Sequence, residues 1–228
     1  MSTVPSALNS APPALAPAFN PGWNLLELQQ HLGGIPPERI RAFPFPGTVT
    51  EVQFDDFVRG RELPCELVDG VIVEKAVGNF QSNATFWLQH YLALYLVQND
   101  RGFVMTTDGL ARVARNQIRS PDVSFVDWKH FPDRVVPNVL PVAPDLAVEI
   151  LSSSNTTAEM DRKRRDLFAA GTRLMWIVEP ELPTVAVYTS ADGPPMLLRE
   201  SDSLTGGEVL PGFELPIREW FARVVKRA

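Results

Sequence analysis

Glu149 stands inside the run Pro144-Asp145-Leu146-Ala147-Val148-Glu149-Ile150-Leu151, where its neighbours are aliphatic. Bounded by Pro and by Ser152-Ser153-Ser154-Asn155, this run reads as a strand covered on both faces. A carboxylate there is unfavourable unless a cation, a metal or a hydrogen-bond network compensates it. Two more acids have apolar neighbours: Glu66 in Cys65-Glu66-Leu67-Val68, and Asp122 at the head of Asp122-Val123-Ser124-Phe125-Val126. Hard divalent cations such as magnesium, or manganese in its place, take oxygen ligands, commonly one or two carboxylates completed by water and substrate phosphate. Two acids delivered by neighbouring strands would suit such an ion. A nearby lysine would then orient or help deprotonate a water and stabilise charge growing on phosphorus.

Lys163 is the candidate. On a helix starting near Thr157, residues Met160, Lys163, Leu167 and Ala170 share one stripe, which turns Lys163 toward the sheet. Arg162, Arg164 and Arg165 then point elsewhere and could hold a phosphate backbone. Each residue also has a plainer reading. Asp122 after Pro121 suits a strand-entry acceptor, Glu66 a surface position in an edge hairpin, and Lys163 alone a solvated helix lysine. Asp145 reads as a strand-entry acid and Asp69 as a turn residue.

Several elements must position these groups. Residues 65–68 and 71–75 flank Asp69-Gly70, a hairpin signature. A long helix is expected over residues 80–98, with Phe80, Ala84, Trp87, Leu88, Tyr91, Leu92, Tyr95 and Leu96 at helical spacing. Strands are expected at 103–106, 110–114, 121–126, 145–151, 174–179, 184–189 and 196–199. Short helices are expected at 23–32, from Thr50 or Asp55 through Phe57, and at 217–225, beside the helix capped by Thr156 or Thr157. Interleaved strands and helices imply a mixed sheet. Residues 1–47, Pro/Ala-rich and poor in charge at their start, are expected to be a disordered tail and linker packing on the outside; residues 48–228 form the domain.

The formal charge of -6 excludes a surface basic all over, so nucleic-acid contact would need a local patch. The single cysteine, Cys65, excludes an internal disulfide framework and fits a reducing cytoplasm. His31, His90 and His130 lack ligand spacing. Ser152-Ser153-Ser154 resembles no nucleophile elbow, and Gly206-Gly207 opens no phosphate-loop helix. No apolar run is long enough to span a bilayer.

Cys65-Glu66-Leu67-Val68-Asp69-Gly70 resembles a "YELVDG" hairpin, and Ser120-Pro121-Asp122-Val123-Ser124-Phe125-Val126 a "PDVSFV" strand. The blocks from Pro144 to Asn155, then Lys163, Phe168, Gly171 and Met175-Trp176-Ile177-Val178-Glu179-Pro180, follow in the same order, with a similar ending from Thr205 to Phe213. Together they resemble the Uma family of candidate restriction endonucleases, within the PD-(D/E)XK nuclease superfamily. The resemblance implies an α/β, restriction-endonuclease-like fold, a mixed central sheet flanked by helices, and magnesium-dependent hydrolysis of DNA. It implies Asp122 and Glu149 as metal ligands, Lys163 as the catalytic lysine and Glu66 as an additional acid. The superfamily's usual lysine stands two residues after the strand acid, and that place is Leu151 here. A homodimer is expected, since cutting two strands needs two sites. The alternative is a nuclease-fold binding or accessory module without turnover.

Overall fold

The computed structural model describes residues 20, 22–60, 64–76 and 78–225. Of the expected tail and linker, residues 1–19 and 21 lie outside them. The helices are α1 (Leu25–His31), α2 (Glu51–Arg59), α3 (Asn79–Gln98), α4 (Thr157–Ala169) and α5 (Ile217–Phe221). The strands are β1 (Cys65–Val68), β2 (Val71–Glu74), β3 (Gly102–Met105), β4 (Leu110–Ala114), β5 (Gln117–Arg119), β6 (Val123–Asp127) and β7 (Val139–Leu140). They continue with β8 (Leu146–Ile150), β9 (Leu174–Glu179), β10 (Thr184–Tyr188), β11 (Met196–Leu198), β12 (Ser203–Gly206) and β13 (Leu210–Pro216).

The expected mixed sheet is six-stranded, in the order β11-β10-β9-β8-β6-β3. Only β8 and β9 run parallel in it, the remaining pairs being antiparallel. A helix covers each face of β8, which is why its sequence is a continuous apolar run. Leu146, Val148 and Ile150 pack with Ala84, Leu88 and Leu92 of α3, while Ala147 packs with Leu167 of α4. The apolar set anticipated on α3 all joins that core. Fully burying one such leucine stabilises by about 1.5–3 kcal/mol.

A second sheet, β2-β1-β5-β4-β7, packs Cys65, Leu67, Ile72 and Ile118 against Phe54 of α2. Side chains alternate across a strand, so Glu66 and Arg119 occupy the opposite face. The hairpin turns at Asp69 and Gly70, with φ of 50° and 76°, as Asp-Gly prescribes. Strands β5 and β7 are too short to show a period in the sequence, and β12–β13 form a separate pair.

Capping boxes start α1 (Asn24 with Glu27), α2 (Thr50 with Gln53) and α4 (Thr156 with Glu159). Residues ahead of α2 share a core with the hairpin: Leu28, Leu32 and Ile35 bury against Val68, Val71 and Val73. Asp69 clips them down, accepting from Arg162 and pairing with His31 at 2.7 Å. Arg39 forks onto Glu159 at 2.7 and 3.1 Å. Among the described residues no helix is long and apolar enough to cross a membrane.

Candidate active site

Between β5 and β6 the chain leaves the second sheet and enters the main one through Ser120, Pro121 and Asp122. That crossing sets the site. Val123 faces Val148 and Ser124 faces Ala147 across β6 and β8, so the same register places Asp122 opposite Glu149. The two acids therefore share one face at the end of the sheet, the face covered by α4. Asp122 also meets its plainer reading, because Oδ2 accepts the Ile150 backbone N–H at 2.8 Å.

Lys163 reaches this face from α4. Its Nζ lies 2.6 Å from Glu149 Oε1 and 2.6 Å from Glu66 Oε1, and its side chain is 3% exposed. The helical stripe predicted this direction. Leu151, two residues after Glu149, uses its backbone N–H on Val178, and its carbonyl accepts a bond from Gln81. The amine that reaches Glu149 thus comes from the following helix.

Glu66 is buried, which removes the surface reading. Its Oε1 accepts the Ser120 N–H at 2.9 Å and its Oε2 accepts Arg119 Nη1 at 2.9 Å. Arg119 also binds Asp166 of α4. Both Glu66 oxygens are committed, so this acid holds Lys163 rather than standing open to an ion. Lys75 adds a further cation, 2.7 Å from Asp122 Oδ1.

These contacts sort the protonation states. Burial pushes Glu66 up, yet Lys163, Arg119 and Lys75 outweigh it and hold the carboxyl well below its usual range. Glu149 is pushed up to about 7, chiefly by burial and secondarily by Asp122 and Glu66, against the pull of Lys163 and Lys75. One ammonium lies 2.6 Å from both acids, and Arg119 adds a second cation to Glu66. Burial opposes the charge on Lys163, but Glu149, Glu66 and Asp122 more than offset it and raise the amine above its ordinary value. Lys163 is therefore an ammonium in this arrangement, suited to stabilising negative charge.

A cleft of about 390 Å³ opens beside Asp122, lined also by Asn79, Gln81, Ser82, Thr85 and Thr107. A larger groove of about 520 Å³ beside α5 contains none of the four candidate side chains. Among the described residues no group of three or more His, Cys, Asp or Glu is placed to hold a metal. An ion here would rely on Asp122 and Glu149, with water and phosphate completing its shell.

Arg162 and Arg164 are corrections to the expected phosphate-holding set. Arg162 is buried and donates to Asp69 and to the His31 carbonyl, and Arg164 donates to the Ala191 carbonyl and lies over Tyr188. Arg165 remains exposed. The sequence reading missed Lys75, Arg119 and Asp166. The available signal was Arg119, a charge beside Ile118 three residues before Asp122.

Fold and site thus define an α/β protein with a buried acid and lysine cluster at the strand ends of a mixed sheet. A family model described as "Uma2: Putative restriction endonuclease" matches residues 52–218, and the chain belongs to that family. Among solved structures it is similar to one from Anabaena variabilis, a "putative nuclease belonging to DUF820", with a TM-score of 0.66 and 18% identity. That match covers 78% of this chain and 99% of the other, and establishes the shared fold. No curated protein matches this chain.

Proposed function

We propose that this chain is a metal-dependent endonuclease hydrolysing DNA phosphodiester bonds, with Asp122 and Glu149 as ligands for magnesium or manganese. Lys163 stands beside the reacting phosphate, and Glu66 positions Lys163. The carrying observation is Asp122 and Glu149 on one sheet face, with the Lys163 ammonium 2.6 Å from Glu149. The donors suit a hard cation: both are carboxylates, set opposite each other by the register of adjacent strands β6 and β8. Bound there, such an ion would polarise the phosphoryl group and make a bound water more acidic.

The protein's own groups supply position and charge. The Ile150 N–H fixes Asp122, and Arg119 with the Ser120 N–H fixes Glu66. Glu66 in turn restrains the Lys163 ammonium, which would stabilise the oxygens gaining charge on phosphorus. Family membership supports DNA as the substrate. Cutting both strands favours a homodimer with one site per copy, acting in the cytoplasm.

The test is nicking of supercoiled plasmid in Mg2+ or Mn2+ by the wild type, Asp122→Asn and Glu149→Gln. Each substitution is expected to slow cleavage by roughly 100-fold or more, the scale of losing a group that stabilises the transition state. A folded wild type that leaves supercoiled, linear and single-stranded DNA intact in both metals would refute the reading. A second reading, a module that binds without turnover, is favoured by the cations Lys75 and Lys163 already facing both acids. Calorimetric titration with Mn2+ separates the two, since only the first requires metal binding.

A further inference from the structure

Lys75 directly follows β2 and has no catalytic spacing in the sequence, yet its ammonium contacts the acid on which the candidate metal site depends. Nζ lies 2.7 Å from Asp122 Oδ1 and also donates to the Ser120 carbonyl, and the side chain is 7% exposed. The other oxygen of Asp122 accepts the Ile150 N–H. Both oxygens are thus engaged, and a divalent ion binding Asp122 must displace a partner or share its oxygen. Giving up the Ile150 bond would orphan a backbone donor at the end of the central strand. Moving Lys75 needs only rotation of a flexible four-carbon stem.

Charge balance points the same way. The acids Glu66, Asp122 and Glu149 face the cations Lys75, Lys163 and Arg119, with Asp166 also on Arg119. Adding a dication to this buried cluster leaves excess positive charge, which is strongly disfavoured away from water. Lys163 is enclosed by Glu66 and Glu149, and Arg119 is pinned between Glu66 and Asp166. Lys75 is the cation with an exit, because the adjacent Ala76 and nearby Pro64 line the open cleft.

We infer that Lys75 is a tethered counter-ion occupying the cation position beside Asp122, and that a divalent ion enters by exchanging with its ammonium. This rests on the metal-dependent reading and adds regulation to it: Lys75 sets the metal concentration at which the site loads. The displaced ammonium remains tethered at the cleft, where a phosphodiester is its complementary partner.

Two measurements test the exchange. In the wild type, trace acetylation read by mass spectrometry should modify Lys75 at least about tenfold faster in saturating Mn2+ than in EDTA, while Lys163 stays slow in both. By calorimetry, Lys75→Met should bind Mn2+ at least about tenfold more tightly than the wild type, a modest effect for one close charge pair. Lys75→Arg, keeping the charge, should remain within about threefold. Should Lys75→Met not fold, the labelling decides alone. If the wild type binds Mn2+ but Lys75 labelling does not respond, the exchange is wrong and the nuclease reading stands. If neither the wild type nor Lys75→Met binds Mn2+, both fall.

Discussion

Lys163→Met removes one ammonium while keeping a flexible apolar stem of similar length. Nζ lies 2.6 Å from oxygens of both Glu66 and Glu149. At an effective dielectric constant of about 20, each such pair carries roughly 6 kcal/mol of Coulomb attraction. Relief of the amine's own desolvation cancels part of this, so the expected net loss is about 3–5 kcal/mol, the usual cost of stripping one partner from a buried pair. Glu149 moderates the loss by taking a proton. Its folded-state pKa is already raised to about 7 from 4.5, so its contribution to stability is retained at low pH and lost as pH rises through that value. Without Lys163 the pKa rises further and the loss extends to higher pH. The gap between wild type and variant should therefore widen by roughly 1–1.5 kcal/mol from pH 6 to pH 8. Urea unfolding in EDTA at the two pH values measures this, and Lys163→Met with Glu149→Gln should recover at least half of the pH 8 loss. A loss below about 1 kcal/mol, indifferent to pH, would refute the buried cluster as described.

Other elements give equally specific expectations. Gly33 has φ of +88°, and a Cβ there would lie 2.6 Å from the Glu159 backbone nitrogen on α4. Gly33→Ala should cost about 2–4 kcal/mol, whereas Gly34→Ala, at φ +72° with open space around it, should cost only about 1 kcal/mol; equal urea midpoints would refute the contact. Asp145 is 2% exposed. Burial pushes its pKa up, but bonds from Lys129 and the Asp127 N–H, with the charges of Lys129 and His130, hold it below 3.8. Its stabilisation is therefore full above that value and lost as pH falls through the lower folded-state pKa. Asp145→Asn should cost about 1–3 kcal/mol at pH 7 and less below about pH 3, as a stability titration would show.

Legibility followed the range of the interaction. The Asp-Gly hairpin, the Thr156 cap and the α3 stripe depend on neighbours within a few residues, and each was readable. Glu149 was readable because its burial followed from an apolar run, and Lys163 because α-helical geometry fixes which residues share a face. Asp122 had two readings in the sequence, and the fold realises the strand-entry contact while placing the same side chain opposite Glu149.

The partners of Lys75, Arg119 and Asp166 were illegible for the opposite reason. Arg119 meets Glu66 from 53 residues away and Asp166 from 47, through a three-residue strand whose period is too short to detect. Arg162 and Arg164 look like free cations on a helix, and only packing against the Asp69 turn and the Ala191 segment engages them. The amino-acid order by itself determined which groups had to be buried, because alternation and helical spacing follow from backbone geometry. Which charges neutralise one another was decided by the crossing from one sheet to the other, since Coulomb and hydrogen-bond contacts depend on distance in space.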